Sequence, residues 1–466
     1  MNKQPKALNA IGYLPDETPS LGKLIVFAFQ QVLVMFPATV TVALLTGFHV
    51  STTIFASGLA TICFLLITEG KIPLYYGSSF SYIAAVVGIT GASFGNIAPD
   101  ALISQAQFGI ICSGVVSIIA GIIVNRFGMQ TIEKVLPPTV TGSIALIIGI
   151  SLAGTAMTNA LGMNAGVVNE LGEKVFDHLG NPVLVFMSSG RMLAAAAITL
   201  VATVLFSVYL KGVWGQLPIL FGILVGYVVS IPLGLVDFSG IFAGNIIEVP
   251  HFTPPAPNWT AVLAIMPIAI ATIPESTAHL FQLDIYVNDL AKKKGKGEYK
   301  IAEKLGLNLI GDGIGDIVAS LFGGPAGTNY GENISTMAIT KNFSVRMLGV
   351  AAIMAMLLSF INPLSKLINT VPGAVINGAC VFLFGVIAAQ GIAIMINKNV
   401  DMFDAKNLSV IAIIMIIGLG GHYGFANGMI PIFNMRLPAI ATAAIVGILL
   451  NAVLSIGKKK AAASAE

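Results

Sequence analysis

The sequence is poor in charge. Only 10% of its 466 residues are Asp, Glu, Lys or Arg, whereas 56% are hydrophobic. A typical soluble domain carries about 25% charged residues. A water-soluble fold could not bury this much apolar surface, because the buried fraction is limited by how surface scales with size. The composition therefore predicts a polytopic α-helical membrane protein, whose solvent is lipid.

Several features that would point to another class are also missing. The cysteines Cys63, Cys112 and Cys380 lie in apolar runs without CxxC spacing, which argues against a disulfide framework or a zinc site. The net charge is only +3, and no basic face with interleaved aromatics occurs, so no nucleic-acid partner is expected. The polar first twenty residues lack the apolar stretch of a cleaved signal peptide. No catalytic or metal-ligand cluster is visible, so neither an enzyme nor a cofactor is expected.

Twelve apolar segments are long enough to cross a bilayer, which takes about 20 mostly apolar residues. They lie near residues 22–46, 51–68, 103–125, 130–156, 190–210, 215–236, 258–282, 303–322, 345–367, 372–396, 406–424 and 437–456. Two further segments, 77–91 and 330–341, are too short and too polar to span as plain helices. Counted as crossings, they bring the total to fourteen.

The distribution of positive charge supports fourteen crossings with both termini in the cytoplasm. On this count all but four of the 24 Lys and Arg residues fall on the cytoplasmic side, the exceptions being Lys174, Arg191, Lys366 and Arg436. Cytoplasmic loops carry such an excess. Omitting both short segments would place the lysine-rich region 292–304 outside. We therefore predict a multi-pass protein of the cell membrane with seven crossings in each half, an odd number that gives the halves opposite topology.

A weak internal similarity agrees with a repeat. Three residues of the fifth predicted crossing have counterparts in the twelfth within a one-residue slip: Pro137, Val140 and Gly149 correspond to Pro372, Val375 and Gly385. Three matches are too few to establish a repeat by themselves.

The two short segments each contain a Gly- or Pro-rich extended stretch that leads into a half-length helix. The first includes Gly77-Ser78-Ser79-Phe80-Ser81-Tyr82, and the second runs from Gly323-Gly324-Pro325 to Tyr330-Gly331-Glu332-Asn333. Non-helical backbone at membrane depth persists only where it is buried in protein or lines a cavity. Paired interrupted helices in the two halves of a transporter mark its binding site.

The start of a half-helix presents unpaired N–H groups and a positive dipole end, which could donate to the carbonyl oxygens of a neutral polar ligand. Phe80 and Tyr330 flank the two breaks and could bracket a flat ring. Glycine-rich segments can also serve only close helix packing. That alternative does not explain why Glu332 sits at the second break.

Few ionisable residues fall within the predicted spans, and such residues are functional candidates by default. Glu275 and His279 are four residues apart and share one helix face. A desolvated carboxylate and a histidine can both exchange a proton near neutral pH. The pair is therefore a candidate for proton and ligand binding, with a structural hydrogen bond as the alternative. Asp312 and Asp316 either tie the broken segment to its neighbours or contact substrate or an ion.

At these residues the chain resembles the nucleobase–ascorbate transporter family, the second family of nucleobase–cation symporters, and within it the bacterial uracil permeases most. The resemblance covers about residues 20–456. It rests on Gln30, Gly77-Ser78-Ser79-Phe80, Glu275-x-x-x-His279-Leu280, and Tyr330-Gly331-Glu332-Asn333 followed by Thr340-Lys341.

The chain departs from the uracil permeases at a few of these positions. Gln31 stands where they commonly have histidine, and Ser335 replaces the usual glycine of the signature. Pro274 and Ser276 replace the Ala and His that flank the glutamate. These departures leave the transporter class intact and the exact base open.

The resemblance implies fourteen segments in two inverted seven-segment repeats, with segments 3 and 10 each a short strand plus a half-helix. Residues 21–127 and 257–368 would form a substrate-binding core domain. Residues 128–256 and 369–456 would form a gate domain, and residues 1–20 and 457–466 would be cytoplasmic tails. Homodimers are usual in the family.

The resemblance also implies a site. Glu275 and Glu332 would hydrogen-bond the base, and Phe80 and Gly331 would contribute backbone amides. With Tyr330 at the second break, these are the predicted substrate-binding residues. Glu275 and His279 would carry proton coupling. Gln31, Asp312 and Asn333 are candidate supporting residues.

The expected function is proton-coupled symport of a nucleobase, uracil first, into the cell. Glutamate at the position of Glu332 resembles uracil carriers, whereas xanthine and urate carriers usually have glutamine there. The alternatives are a symporter for xanthine or another purine, or an anion transporter of the same fold. The last is disfavoured because such proteins usually need a positive charge at the site, and no buried Lys or Arg is expected beside either half-helix. Sodium stays open as the coupling ion, since carboxylates and carbonyls also bind it.

Overall fold

The computed structural model describes residues 12–92, 96–128, 135–160, 165–166, 184–185, 190–242, 244–425, 428–432 and 435–463. Some residues of the predicted tails, and some of the lysines counted above, are not among them. Residues 1–11 and 464–466, together with Lys134 and Lys174, lie outside the described residues.

The first half of the described chain is mostly helical. Its helices are α1 (Leu21–Thr46), α2 (Val50–Ile67), α3 (Ile83–Thr90), α4 (Asp100–Phe127), α5 (Pro138–Ala160), α6 (Gly190–Tyr209) and α7 (Pro218–Ser230). One strand, β1 (Tyr76–Ser78), and a 3-10 turn (Phe80–Tyr82) precede α3. Two-residue strands β2 (Ala165–Gly166) and β3 (Leu184–Val185) pair with each other between α5 and α6.

The second half follows a similar order. Helices α8 (Trp259–Ile265) and α9 (Ala269–Lys293) join through a 3-10 turn at Met266–Ile268, and α10 (Leu305–Leu321) follows. Strand β4 (Gly327–Asn329) leads into α11 (Gly331–Thr340). The remaining elements are α12 (Val345–Ser359), α13 (Asn362–Asn369), α14 (Gly373–Asn397), α15 (Ala405–Met415), α16 (Gly421–Gly424), the hairpin β5 (Met429–Ile432) and β6 (Met435–Pro438), and α17 (Ala439–Ala463).

Nine helical runs within the described ranges are long and apolar enough to cross a membrane. They include the continuous run Trp259–Lys293, formed by α8 and α9, and the run Ala405–Gly424, which contains a π-helical turn at Ile416–Gly420. The prediction of a helical, multi-pass membrane protein is therefore confirmed. As predicted, each glycine-rich segment contains a three-residue strand followed by a short helix.

Three of the predicted spans contain shorter helices than expected. Near 215–236 the helix α7 has 13 residues, because Pro218 starts it and Pro232 follows its end. Near 303–322, α10 has 17 residues. Near 345–367 the helix stops at Ser359, and α13 begins at Asn362, ahead of Pro363.

The break between α12 and α13 has a backbone cause. The N–H of Glu248 donates to the carbonyl oxygen of Phe360 (2.9 Å), and the N–H of Asn362 donates to that of Ile246 (3.0 Å). Ile361 thereby forms an antiparallel bridge with Ile247. The segment before α8 takes over hydrogen-bonding groups that a continuous helix would have used internally.

The long helices pack in pairs through glycine. Helix α10 lies against α4 and α2, and α2 also packs against α12. In the other part of the molecule, α14 lies against α5 and α6. A Cβ added to Gly313 on α10 would lie 2.3 Å from the carbonyl oxygen of Gly114 on α4, and one on Gly149 would lie 2.4 Å from the Ala388 nitrogen. Small residues permit this close backbone approach between membrane helices.

The chain ahead of α1 is fastened to the far end of α11. Tyr13 donates its N–H to the carbonyl oxygen of Lys341 (2.7 Å) and accepts at its own carbonyl from Phe343 (2.8 Å). Nearby, the ammonium of Lys294 donates to the Gly12 carbonyl oxygen (2.9 Å) and to the Glu17 carboxylate (2.5 Å). The Lys294 side chain is only 1% exposed. An ion pair and a two-bond bridge therefore hold this segment in place.

Glu17 is stabilised as an anion. Partial burial raises the pKa of Glu17, but hydrogen bonds from Lys294, from the Leu14 N–H and from Lys296 lower it. Because their combined effect is larger than that of burial, the pKa lies below its ordinary value of 4.5. A carboxyl group with a lowered pKa stabilises the folded state above its unfolded pKa, and this contribution is lost as pH falls through the folded value.

We expect Glu17→Gln to lower the free energy of unfolding by about 1–3 kcal/mol, because it leaves the buried Lys294 ammonium without its counter-ion. Thermal unfolding in detergent at pH 7 measures the effect as a lower Tm. The difference from the wild type should shrink as pH falls below about 4.5, since the wild-type carboxylate is then protonated as well.

Glu303→Gln is the matched control. Glu303 pairs with Lys300 at 3.0 Å, but both side chains are exposed, and exposed pairs contribute about 0–1 kcal/mol. If both variants unfold at the wild-type temperature at pH 7, the Glu17–Lys294 pair does not stabilise the fold.

Candidate functional site

Two strands that are distant in sequence pair at the centre of the candidate site. Strands β1 and β4 are antiparallel, with Gly77 opposite Thr328. The pairing continues past the strands, because the Ser79 N–H donates to the Ala326 carbonyl oxygen (2.9 Å) and the Tyr330 N–H to the Tyr75 carbonyl oxygen (3.0 Å). The extended backbone is thus hydrogen-bonded within the protein, as it must be at membrane depth.

Tyrosine rings cover the glycines of the opposite strand. A Cβ added to Gly77 would lie 2.3 Å from Cε2 of Tyr330, and one on Gly327 would lie 2.2 Å from Cε1 of Tyr76. Any side chain at either glycine would displace a buried ring. The two glycines therefore fix how closely the strands and their tyrosines pack.

The strand pair is fastened to α10 through a carboxylate. Asp316 Oδ1 accepts from the hydroxyl of Tyr76 (2.5 Å) and from the N–H of Gly327 (2.8 Å), one group from each strand. On the other side, the hydroxyls of Ser57 and Thr61 on α2 both donate to the carbonyl oxygen of Tyr76, at 2.8 and 3.0 Å. Of the two roles considered for Asp316, the one observed is the tie between the broken segment and its neighbours.

Each strand turns directly into a helix start. After β1, Ser79 caps the 3-10 turn by accepting the Ser81 N–H at 3.3 Å. After β4, Tyr330 is the N-cap of α11 and makes no side-chain capping bond. Glu332 lies in the first turn of α11. The first N–H groups of a helix have no partner within the helix, so this turn and the carboxylate of Glu332 could offer a ligand donors and an acceptor.

Helix α9 faces both helix starts. The Ser81 hydroxyl lies 3.4 Å from Oε2 of Glu275, and a Cβ on Gly331 would lie 2.9 Å from Nε2 of His279. Glu275 and Glu332 are close enough to interact electrostatically. Among the described residues, Nδ1 of His279 has no hydrogen-bond partner. Glu275 and His279 are therefore each adjacent to one of the breaks.

A buried polar cluster lies behind Glu275. The hydroxyl of Ser276 donates to the carboxylate of Asp312 and accepts from the side-chain amides of Asn308 (2.7 Å) and Asn329 (3.1 Å). Within the part of the chain that the structure describes, Oδ1 of Asp312 and Oδ1 of Asn329 are buried without a partner. These oxygens are acceptors that remain free to bind a proton, water or a cation.

Helix α1 supports the second break at two points. The side-chain amide of Asn333 donates to Oε1 of Gln31 (2.7 Å) and to the Gln31 carbonyl oxygen (3.1 Å). The hydroxyl of Tyr330 donates to the carbonyl oxygen of Ser78 and lies 3.0 Å from the hydroxyl of Thr39. Tyr330 is only 4% exposed, so its ring is part of the packing between the strands.

Phe80 extends from the first break towards α14. Its ring is half-buried and meets the ring of Phe384 edge to face, with the centroids 6.3 Å apart. This contact joins the strand-and-helix region to the group of helices that contains α5, α6 and α14. A flat ligand held at the helix starts would have Phe80 at its border.

The structure brings the sequence-based candidates together. Phe80, Glu275, His279, Gly331 and Glu332 surround the two helix starts, and the supporting candidates Gln31, Asp312 and Asn333 lie one contact further out. Sequence reasoning missed a second set, namely Ser81, Ser276 as a hydrogen-bonding partner, Asn308, Asn329 and Phe384. Ser81 and Asn329 stand inside the quoted glycine-rich segments, and Asn308 precedes Asp312 by one helical turn, so those positions carried a signal. Nothing in the sequence singled out Phe384.

Comparisons with known proteins show the family of this chain. The family model Xan_ur_permease, described as a permease family, matches residues 22–427. A uracil permease of Bacillus caldolyticus is 34% identical over 96% of this chain and 95% of its own length. Uracil permeases of Bacillus subtilis (31% identical, 97% of each chain) and Escherichia coli K12 (32% identical, 95% of this chain and 93% of its own) are also similar.

Solved structures share the fold at low sequence identity. The transmembrane domain of the cyanobacterial bicarbonate transporter BicA aligns with a TM-score of 0.53 and 13% identity, over 93% of this chain and 97% of its own. The murine anion transporter Slc26a9 aligns with a TM-score of 0.65 and 13% identity, over 98% of this chain and 73% of its own.

The family match and the uracil permease relatives show a membrane transport protein rather than an enzyme. The chain belongs to the Xan_ur_permease family, the nucleobase–ascorbate transporters, as its motifs predicted.

The contact between Gly331 and His279 gives a prediction about the second helix start. Gly331→Val adds a branched side chain at a position where even a Cβ would lie 2.9 Å from Nε2 of His279, so the imidazole and the helix start must separate. We expect uptake of labelled uracil, the substrate named for the relatives above, to fall about 100-fold in proteoliposomes, the effect of a 1 Å displacement in a binding site.

Gly349→Val is the matched control, because an added Cβ at Gly349 on α12 meets nothing within 4 Å. It should reduce uptake by no more than about twofold, in line with the small stability effects of substitutions away from special features. A well-folded Gly331→Val protein that transports normally would show that α11 does not begin at the binding surface.

Proposed function

We propose that this protein is a secondary active transporter that carries a nucleobase, uracil first, into the cell together with protons. The observation that carries the proposal is the meeting of two helix starts with the carboxylates of Glu275 and Glu332 in a relative of uracil permeases. Uracil is small, neutral and flat, with ring N–H donors and carbonyl acceptors. It needs carboxylate acceptors and backbone N–H donors within one small space.

Each site residue has a role in this proposal. The carboxylates of Glu275 and Glu332 accept the ring N–H groups of the base. The backbone N–H groups at Phe80 and Gly331, at the two helix starts, donate to its carbonyl oxygens. Phe80 and Tyr330 contribute aromatic surface at the two breaks. Ser81 orients Glu275, since its hydroxyl is 3.4 Å away.

Proton coupling is assigned to Glu275 and His279. Both are on the face of α9 towards the breaks, and the carboxylate that binds the base can exchange a proton with its surroundings as substrate enters and leaves. The Ser276–Asp312–Asn329 cluster lies next to Glu275 and offers free oxygen acceptors. Sodium is the alternative coupling ion, and that cluster is where it would bind.

We further propose fourteen crossings in two inverted repeats. The packing of the described helices supports this, because pairs in one half have equivalents in the other. In this repeat α2 corresponds to α10, α4 to α12, α5 to α14, α6 to α15 and α7 to α17. Exchanging each helix for its counterpart turns the packed pair α2–α12 into the packed pair α10–α4, and α6–α7 into α15–α17. The pairs α5–α14 and β1–β4 map onto themselves. Residues Gly149 and Phe384 of the α5–α14 pair lie in contact, in the helices that carry the internal sequence similarity.

The proposal includes a core domain, residues 21–127 and 257–368, and a gate domain, residues 128–256 and 369–456. The site residues other than Phe384 belong to the core, and Phe80 meets Phe384 of the gate. Sliding of one domain past the other around this contact would expose the base to each side in turn. Both termini are assigned to the cytoplasm, and the protein to the cell membrane as a homodimer.

An anion transporter is the second candidate, because BicA and Slc26a9 share the fold. The charged side chains at the helix starts here are the carboxylates of Glu275 and Glu332. Two carboxylates beside an anion would repel it. A xanthine or other purine carrier differs from a uracil carrier only in pocket size and hydrogen-bond pattern, so substrate competition must separate these possibilities.

Uptake of labelled uracil into proteoliposomes, competed by unlabelled uracil, thymine, xanthine, adenine and bicarbonate, tests the proposal. We expect unlabelled uracil to compete best and bicarbonate not at all. An inward proton gradient should drive accumulation equally with and without sodium. Competition by bicarbonate but by no base would favour the anion transporter instead.

Glu332→Gln tests the acceptor role directly. It replaces a carboxylate oxygen by an amide N–H₂ that points at the ring N–H of the base, so affinity should fall by about 1–3 kcal/mol. Equilibrium binding of uracil measures the loss. Glu248→Gln, which alters an exposed glutamate in the segment before α8, is the control and should bind like the wild type. Normal uracil affinity in a folded Glu332→Gln protein would remove Glu332 from the site.

His279→Leu separates coupling from binding. If His279 shares the translocated proton with Glu275, this variant should lose proton-driven accumulation at least about tenfold more than it loses equilibrium affinity, since only the coupled step needs a titratable group. Parallel losses of binding and accumulation would assign His279 to the shape of the pocket alone.

A further inference from the structure

Three polar side chains from distant parts of the sequence meet at the end of the molecule where α1 ends and α4 begins. His49 lies between α1 and α2, Asp100 is the first residue of α4, and His251 lies in the segment before α8. None of them belongs to the candidate substrate site. Their side chains are 20%, 56% and 53% exposed, so the cluster is open to solvent.

The side chains point at one another with compact geometry. Nε2 of His251 lies 2.9 Å from Oδ2 of Asp100, and Nε2 of His49 lies 3.7 Å from Oδ1. The two imidazole centroids are 4.4 Å apart. One ligand atom from each residue falls within 4.8 Å of the others. Two imidazole nitrogens and a carboxylate oxygen therefore surround a single small volume.

His49 supplies an independent observation. Its Nε2 is buried and has no hydrogen-bond partner among the described residues, because the 3.7 Å approach to Asp100 is too long for a hydrogen bond. A buried ring nitrogen without a partner is costly unless something else satisfies it. The atom is directed at the carboxylate, where an ion between the two would satisfy both.

The backbone around His251 is held firmly in place. The hydroxyl of Thr52 donates to the His251 carbonyl oxygen at 2.7 Å, and the side-chain amide of Gln107 donates to the Thr253 carbonyl oxygen at 2.9 Å. The ring of Phe252 packs edge to face on Phe55, with centroids 5.1 Å apart. The backbone position of His251 is thus fixed by α2 and α4, and only side-chain rotation can move its ring nitrogens.

We propose that His49, Asp100 and His251 form a binding site for one divalent transition-metal ion, with zinc as the occupant that fits best. Zinc takes imidazole nitrogen at about 2.0–2.1 Å and carboxylate oxygen at about 2.0–2.2 Å, usually in a tetrahedron, which places neighbouring ligand atoms about 3.3 Å apart. The distances of 2.9 and 3.7 Å bracket this separation. Three protein ligands leave the fourth position to water from the exposed side.

The ion cross-links three parts of the chain. It joins the α1–α2 turn and the start of α4 to the segment that connects α7 with α8, the helix run that carries Glu275. Two imidazoles and one carboxylate select a borderline ion such as zinc over magnesium or calcium, which prefer sites made of oxygen only. The bound ion would hold these three parts of the chain together and take no part in binding the transported solute.

Metal titration of the purified, chelator-treated, full-length protein in detergent tests the proposal. Calorimetry with zinc chloride should give one site per chain, and zinc should raise the Tm by at least about 2 °C, since a ligand that binds only the folded state stabilises it. Magnesium chloride at the same concentration should do neither. Cobalt bound in place of zinc should give the visible absorption of a four-coordinate ion.

Variants assign the ion to these residues. His251→Gln keeps the size and polarity of an exposed side chain and should weaken zinc binding at least about tenfold, as should Asp100→Asn, because even an outer-shell partner contributes that much. His422→Gln, which alters a histidine on α16 that is not among the three proposed ligands, should bind zinc like the wild type. Zinc binding of wild-type strength in both His251→Gln and Asp100→Asn would overturn the proposal, as would the absence of any bound zinc in the wild type. Metal-free Tm values of the variants verify that they are folded.

Discussion

The antiparallel pairing of β1 with β4 is the constraint on which the rest of the site depends. Extended backbone inside a membrane protein must find hydrogen-bond partners within the protein. Here each short strand satisfies the other across some 250 residues of sequence. Gly77 and Gly327 permit the close approach that the tyrosine rings then cover. Without this pairing neither half-helix could begin where it does.

The pairing also decides where charge can lie. Both helix starts lie against the same face of α9, and the positive dipole end of a helix start lowers the cost of a carboxylate beside it. Glu275 contacts the first start through Ser81, and His279 lies under the second at Gly331. Asp316 then fastens the strands themselves to α10. The carboxylates of Asp316 and Glu275 therefore differ in role. Asp316 accepts hydrogen bonds from both strands, whereas Glu275 faces the helix starts.

The fold alone does not set the substrate. The bicarbonate transporter BicA and the anion transporter Slc26a9 share this architecture at 13% identity. What a binding surface made of helix starts attracts depends on the side chains beside it. An N-terminus without a neighbouring acid would attract an anion, whereas in the proposed site Glu275 and Glu332 would favour a neutral molecule with N–H groups. The same backbone frame can therefore serve different solutes through a few side chains.

The sequence by itself determined the membrane class, nearly all helix positions and the two interrupted segments, because apolar runs and Gly/Pro clusters act locally along the chain. It also marked Glu275, His279 and Glu332, since an ionisable residue in a span is conspicuous wherever the chain goes. It overestimated three spans, and in two of them the cause is visible: Pro218 and Pro232 bound α7, and the bridge at Ile361 ends α12. Only the tertiary structure decided which residues meet. Ser81 beside Glu275, Phe384 beside Phe80, and His49 with Asp100 and His251 are contacts across at least 50 residues of chain, and such contacts are set by helix packing, which leaves no spacing in the sequence.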